Sequence, residues 1–326
     1  MDIRDLSDLR TAWCIHVVAT LRIADHLAAG VSDLEELASA AECDPDALRR
    51  VLRHLAGHGV FTENGTDRFD LNDPARQLLD ESLRSYLDLD GVGGRFAHAW
   101  GTLLPAVRTG RPAYAERFGL PFWQDLDAHP ELRDGFDALM GPVGHGPPDP
   151  EVLLAGDWQT VHSIVDVGGG TGSLLAAILQ AHPQSHGTLV DLPRTVANSA
   201  AVFAAAGVQD RVTVVGQSFF DPLPSGADLY LLSGVLNDWP EAETVRILAR
   251  CAEAAIPSAG RVVIRGGVSP DESRSDELTV ELVLLGGQNN ALPKFRQLAA
   301  AAALEVTAAG QTPSGRFVVE CRPSSG

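Results

Sequence analysis

Ile164-Val165-Asp166-Val167-Gly168-Gly169-Gly170-Thr171-Gly172 decides the fold. Its first residues are mostly apolar and β-branched, as a buried parallel strand requires. A glycine-rich turn follows, and Ser173 to Ala181 reads as a helix with Leu174, Ala177 and Ile178 on one face. Strand, glycine turn and helix open a nucleotide-binding α/β sheet. The glycines let backbone N–H groups approach a ligand, and the helix N-terminus adds the positive end of its dipole. Gly168, Gly170 and Gly172 make G-x-G-x-G, whereas dinucleotide sites favour G-x-G-x-x-G, and Ser173 stands where the last glycine would be. That spacing weighs against NAD and suits a cofactor without a pyrophosphate, such as S-adenosylmethionine. An ordinary tight turn is the plain alternative, but three glycines after such a strand are costly without a reason.

Around this stretch strand and helix alternate. Ile164–Val167, Gly187–Val190 (ending at Asp191), Val212–Val215, Leu229–Leu232 and Arg261–Ile264 read as strands. Ser173–Ala181, Thr195–Ala206 and Glu241–Ala255 read as helices between them. The order predicts a mostly parallel sheet covered on both faces. Ala303–Ala308 and Arg316–Cys321 are candidates for two added C-terminal strands.

The chain before the sheet is helical. Leu9–Ala29 reads as one amphipathic helix, with Ala12, His16, Val17, Ala19, Leu21, Ile23 and Leu27 at helical intervals. Ser32 is the expected N-cap of the next helix, with Glu35 at the capping-box position. Asp44-Pro45 opens a third helix, Ala47 to His58. Gly59 to Leu71 reads as a hairpin turning at Asn64-Gly65. Helices followed by a small hairpin make a winged helix, whose common association is DNA. Only Arg49, Arg50 and Arg53 cluster here, so a dimerisation or lid role is the better reading. Leu83 to Ala155 reads as mostly helical, with Trp100, Phe118, Phe122, Trp123 and Phe136 as core or pocket aromatics. Gly141 to Pro148 interrupts it as a hinge, a pocket wall or a plain linker. The resulting division is 1–90 for the first domain and 91–326 for the rest, the latter comprising a helical pocket segment (91–158) and the cofactor-binding sheet (159–326).

Composition bounds the function. A chain of 326 residues, 45% hydrophobic and 21% charged, is globular and long enough for two domains. A net charge of −18 argues against nucleic acid as a partner. The N-terminus carries no signal-peptide pattern, and no apolar run reaches membrane-spanning length. Cys14, Cys43, Cys251 and Cys321 are scattered without a C-x-x-C, which points to reduced thiols in a cytoplasmic protein and to no metal site.

Ligands of open α/β sheets bind beyond the C-terminal strand ends, and four candidates stand there. Asp191 can accept both ribose hydroxyls of an adenosine, with a turn or capping acid as its plain alternative. Ser218 and Phe219, in Gly216-Gln217-Ser218-Phe219-Phe220-Asp221-Pro222, can frame an adenine by hydrogen bond and apolar contact. Ser233-Gly234-Val235-Leu236-Asn237-Asp238-Trp239-Pro240 lies where the reactive end of the cofactor belongs. Gly286-Gly287-Gln288-Asn289-Asn290 is a polar, glycine-rich turn.

Taken together, Val165–Gly172, Asp191, Ser-Phe-Phe-Asp-Pro and Leu-Asn-Asp-Trp-Pro-Glu resemble the S-adenosylmethionine-dependent O-methyltransferases of the plant caffeate and bacterial natural-product type. The resemblance covers nearly the whole chain. It implies an α/β, Rossmann-like domain with a mostly parallel seven-stranded sheet, preceded by an α-helical winged-helix dimerisation domain, and hence a homodimer. It implies that Asp166, Gly168, Gly170, Asp191, Leu192, Ser218, Phe219 and Ser233 bind S-adenosylmethionine. S-adenosylhomocysteine is then the product.

The chain departs from that family where chemistry is done. The family's run is Leu-His-Asp-Trp, and its histidine takes the phenol proton; here Asn237 holds that position. An amide cannot accept a proton as imidazole does. The family's Gly-Gly-(Lys/Arg)-Glu-Arg-Thr turn supplies a glutamate that orients the histidine; here Asn289 replaces it. All ten histidines lie at or before His186, so none follows to substitute. Asp238, which matches the family's aspartate, remains beside Asn237, where the pair can orient the acceptor, and His145 and His98 are the groups that could take a proton from elsewhere. Two readings stay open. In one, methyl transfer goes to a small secondary-metabolite acceptor, a C-, N- or acidic O-nucleophile, and positioning supplies much of the rate. In the other, the chain binds the cofactor but hydroxylates, decarboxylates or catalyses a pericyclic step. A DNA-binding regulator is disfavoured by charge.

Overall fold

The computed structural model describes residues 2–139, 148–154, 158–271 and 278–324. They fall into two units, which are described separately. One comprises residues 1–101 with 126–139, the other 102–125 with 140–326. Among the described residues no helix is long and apolar enough to cross a membrane.

In the first unit the segment read as one long helix is two, Leu9–Thr20 and Ile23–Ala28. Arg22 breaks it in the left-handed region at φ 53. The break lets Ile23, Ala24 and Leu27 join Val18 and Ala19 in one core, which a straight helix would not allow. The following helix, Leu34–Ala40, is capped by Asp33 rather than Ser32. The Asp33 carboxylate accepts the N–H groups of Glu35 and Glu36, while the Ser32 hydroxyl accepts from Arg68. The helix expected over Ala47–His58 runs over Pro45–Gly57, two residues earlier at its start, with Asp44 accepting from Ala47 N–H at 2.8 Å and Pro45 in the first turn. Its Leu48, Leu52 and Leu55 are buried. The hairpin pairs Thr62–Glu63 with Phe69–Asp70. Its connection is five residues long rather than a two-residue Asn-Gly turn, because Asn64 N–H bonds Arg68 C=O and the Asp67 carbonyl is drawn to Leu34 N–H.

The second unit is built on a seven-stranded sheet. Its strands are β1 (Ser163–Val167), β2 (His186–Asp191), β3 (Val212–Gly216), β4 (Leu229–Ser233), β5 (Arg261–Arg265), β6 (Leu304–Gln311) and β7 (Phe317–Pro323). The spatial order is β6-β7-β5-β4-β1-β2-β3. The five strands from β5 to β3 are parallel, and β7 and β6 add antiparallel pairs at one edge. Alternation within β1 serves both faces. Val165 and Val167 pack with Tyr230, Leu232, Ile264 and helix Glu241–Ala255. Ile164 packs with Leu189, Leu231 and helix Ser173–Ala181 on the other face. In that helix the buried stripe is Leu175, Ala176, Ile178 and Leu179, and Leu174 and Ala177 lie only half-buried beside it. Thr195–Ala206 begins as a 3-10 turn and becomes α-helical at Ser199. Two helices, Leu278–Leu285 and Leu292–Ala301, flank the 286–291 turn and were not evident in the sequence pattern.

Candidate active site

The register sets the site. In β1 and β4 Asp166 pairs with Leu231, and in β4 and β5 Ser233 pairs with Arg265. Asp166, Ser233 and Arg265 therefore stand at the C-terminal ends of three adjacent strands on one sheet face. Beyond β1 the glycine turn begins with Gly168 N–H bonded to Val190 C=O. Gly170 takes φ 61, and the direction a Cβ would occupy there is open space. The neighbouring strand end supplies Asp191, whose carboxylate accepts from Gly170 N–H at 2.8 Å and from Leu192 N–H at 2.7 Å. One aspartate thus fixes the turn while keeping lone pairs for a ligand.

Asp166 is buried and neither carboxylate oxygen finds a hydrogen-bond donor among the described residues. Burial, then the nearby charge of Asp191, pushes its pKa up to about 7, and Arg265 pulls it back. A buried carboxylate with no donor is costly unless something fills that role. The Arg265 Nε donates to Ser233 Oγ at 2.9 Å, and Nη1 donates to the Asp149 carbonyl at 3.3 Å. Burial, then Arg316, lowers the Arg265 pKa, against the attraction of Asp149 and Asp166. A carboxylate lacking donors beside a buried guanidinium suits a zwitterion, and the open side of Gly170 beside Asp191 suits a sugar. These features fit S-adenosylmethionine.

After β3, Ser218 Oγ accepts from Phe220 N–H, and the Phe219 ring lies against Gly168. Phe219 and Phe220 meet Trp239 edge-on, at 5.9 and 5.0 Å between centroids. Trp123 stacks on the other ring neighbour, Trp239, at 5.9 Å and donates its indole N–H to the Asp238 carbonyl. Of the aromatics singled out in the helical segment, Trp123 meets Trp239 directly, and Phe122 packs edge-on against Trp123 at 5.1 Å. Phe122 and Phe118 pack around Tyr114, Phe136 lies against Phe96, and Trp100 is exposed.

Asn237 and Asp238 sit in a short 3-10 turn, Leu236–Asp238. The Asn237 amide donates to Asp238 Oδ1 at 2.8 Å. Burial pushes the Asp238 pKa up to about 7, and the Asn237 bond lowers it only in part. The 286–290 turn is tied to this pair through Gln288 N–H on the Asn237 carbonyl, while Asn290 N–H bonds Gly267 C=O. Gly287 is required there: a Cβ would lie 2.1 Å from the Asn237 carbonyl oxygen. Gln288 Nε2, Asn289 Oδ1 and Asn290 Nδ2 are buried with no partner among the described residues. Three successive amides with unsatisfied atoms are expected of a wall that meets a polar ligand.

One end of the sheet thus gathers Asp166, Gly168, Gly170, Asp191, Leu192, Ser218, Phe219, Ser233, Asn237 and Asp238, with the Asn289 turn against it. His145 lies outside the described residues. His98 lies in the other unit, its ring 5.0 Å from Trp13. Arg265 was missed in the sequence; the available signal was an arginine closing an otherwise apolar strand.

An O-methyltransferase domain model matches residues 100–304, and an O-methyltransferase dimerisation domain model matches residues 6–81. The chain is 42% identical over 312 residues to 2,7-dihydroxy-5-methyl-1-naphthoate 7-O-methyltransferase of Streptomyces carzinostaticus, covering 94% of this chain and 93% of that protein. It is 42% identical over 272 residues to aclacinomycin 10-hydroxylase RdmB of Streptomyces purpurascens, covering 80% and 71%. Among solved structures, NcsB1, an O-methyltransferase from neocarzinostatin biosynthesis in complex with S-adenosylhomocysteine and 1,4-dihydroxy-2-naphthoic acid, superposes with a TM-score of 0.86 at 38% identity, covering 100% of this chain and 99% of that one. The glycine turn, the strand-end carboxylates and these likenesses agree, and the chain belongs to the S-adenosylmethionine-dependent O-methyltransferase family of bacterial secondary metabolism.

Proposed function

We propose that this enzyme methylates an acidic phenol, an amine or an electron-rich carbon of a small aromatic secondary metabolite, with Asp238 as the proton acceptor in place of the family's histidine. The observation that carries the reading is the Asn237–Asp238 pair: a carboxylate raised to about 7 by burial, inside an aromatic cluster. A base poised near neutral pH is what proton removal requires. The Asn237 bond occupies Oδ1 and leaves Oδ2 to take the proton. S-adenosylmethionine, when bound, supplies an electrophilic methyl carbon on a sulfonium. Trp123, Trp239 and the 286–290 turn orient a flat acceptor, so proximity supplies the remaining acceleration.

On the cofactor side, Asp191 takes the ribose hydroxyls, with Leu192 holding its carboxylate, and Ser218 and Phe219 flank the adenine. Gly168 and Gly170 present the backbone. Asp166 answers the methionyl ammonium, and Ser233 with Arg265 answers the methionyl carboxylate. We keep the division into 1–90 as a winged-helix dimerisation domain, 91–158 as a pocket segment and 159–326 as the cofactor domain. A homodimer is supported by the dimerisation-domain match and by the exposed Ile3, Leu6 and Leu9. Nucleic acid is disfavoured further because Arg49 and Arg53 are paired with Asp46, Glu63 and Asp67. Four free cysteines support a cytoplasmic setting.

The test is S-adenosylmethionine labelled in its methyl group, offered with a panel of phenols, indoles, amines and keto acids. Label is expected on at least one aromatic acceptor, and Asp238→Asn is expected to lower that rate by about 10²–10⁴-fold. Cofactor binding with no label transferred to any acceptor would instead favour a non-methylating reaction of the kind named for RdmB.

A further inference from the structure

Away from the active site, one cluster in the first unit has the composition of a metal site. Asp8, His54 and His58 each offer a ligand atom, and these atoms lie within 4.8 Å of one another. His54 and His58 are one turn apart on helix Pro45–Gly57 and its C-cap, so both rings stand on one face. Their centroids are 4.4 Å apart. Asp8 reaches them as the N-cap of helix Leu9–Thr20.

The surrounding bonds prepare the donors. His58 Nδ1 lies 2.8 Å from the His54 carbonyl, which only an N–H can satisfy, so the neutral ring carries its proton there and Nε2 keeps its lone pair. A backbone carbonyl in this role is the usual outer partner of a metal-bound imidazole. The Asp8 carboxylate is held in place by two donors, with Oδ1 accepting from Arg10 Nε at 3.0 Å and Oδ2 from the Thr11 hydroxyl. Thr11 Oγ1 donates to Asp8 Oδ2 at 2.6 Å and meets His54 Nε2 at 2.9 Å. Thr11 thus already links the carboxylate to the imidazole. A cation taking the His54 lone pair requires the ring proton to move to Nδ1, while Thr11 can go on donating to Asp8.

We infer that Asp8, His54 and His58 form a site for one divalent transition cation of the zinc type, which pins the first turn of helix Leu9–Thr20 to helix Pro45–Gly57. Two imidazoles and a carboxylate are a zinc-type donor set, with water as the fourth ligand. Bonds of about 2.0–2.2 Å place tetrahedral donors about 3.4 Å apart, so the side chains close by roughly 1 Å on binding. His58 is exposed and free to make that adjustment. The three ligands join two helices that carry the dimerisation-domain match, so the cation stiffens that part of the chain rather than taking part in methyl transfer.

The test is calorimetric titration of the full, tag-free chain with zinc chloride, with magnesium chloride as control, and thermal melts with and without zinc. One saturable zinc site per chain, no magnesium site and a zinc-dependent rise in melting temperature are expected. His58→Ala, at an exposed position, and Asp8→Asn, which still caps the helix, are each expected to weaken zinc at least tenfold and abolish the thermal shift. His186→Ala, on an exposed histidine elsewhere, is expected to bind as the wild type. Absence of saturable zinc binding, or an unchanged isotherm in His58→Ala, overturns the assignment.

Discussion

At the residue scale the pH dependence of the reaction rests on Asp238. Its folded pKa of about 7 means that the basic form is lost on acidification, so kcat/KM is expected to fall about tenfold per unit below pH 7 and to level off above it. A pH–rate profile of the wild type beside Asp238→Asn checks this, and a fall that persists in the variant would assign the proton to another group. Asn237→His with Asn289→Glu restores the family's dyad, and is expected to raise turnover of simple phenols while leaving or reducing the native reaction. Arg265 gives a separate prediction, because its guanidinium reaches Ser233 and is set near Asp166. Arg265→Met is expected to raise the dissociation constant of S-adenosylhomocysteine at least tenfold. Methylthioadenosine, which lacks the amino-acid end, should bind both proteins alike in calorimetry. Asp191→Ala should weaken both ligands, since the ribose is common to them.

At the element scale the decisive contact is between two turns. The Leu236–Asp238 turn and the 286–290 turn are joined by Gln288 N–H on the Asn237 carbonyl, and Gly287 lets the backbones come that close. Gly287→Ala forces them apart, so kcat/KM is expected to drop at least tenfold while S-adenosylhomocysteine affinity stays within about twofold. Steady-state kinetics with calorimetry separates the two effects. The helices around the turns were legible to different degrees. Ser173–Ala181 and Glu241–Ala255 have the bounds that their periodicity predicts. Leu9–Ala29 did not survive as one helix, because Arg22 turns the chain so that both halves feed the same core. Leu278–Leu285 is apolar except at Thr279 and Glu281, with its apolar residues spread round the helix, so no 3.6-residue stripe marked it.

At the scale of the whole molecule, the raised carboxyls link stability to pH. Asp166 has a folded pKa of about 7 against an ordinary 3.8, so the folded chain holds a proton that the unfolded chain releases. That stabilisation is complete below pH 3.8 and is lost as pH rises through 7, with a slope of at most about 1.4 kcal/mol per unit. Urea midpoints of the cofactor-free protein are expected to fall between pH 5 and 7.5, and Asp166→Asn should flatten the trend. Association is the other whole-molecule property. The wild type is expected to scatter light as a dimer at micromolar concentration, and Leu6→Glu with Leu9→Glu to shift it toward the monomer, since both leucines are exposed in the single chain. The sequence by itself determined what depends on local spacing. It carried the strand, glycine turn and helix at 164–181, the strand–helix alternation, the Asp44 cap and the replacement of the expected histidine and glutamate by Asn237 and Asn289. Only the tertiary structure decided the rest. It brought Arg265 to Ser233 and Gln288 to Asn237 across distant segments, and it buried Asp166 and Asp238. A carboxyl's proton affinity follows from the solvent and charges that the fold removes or supplies around it, and neighbouring letters in a sequence do not contain that information.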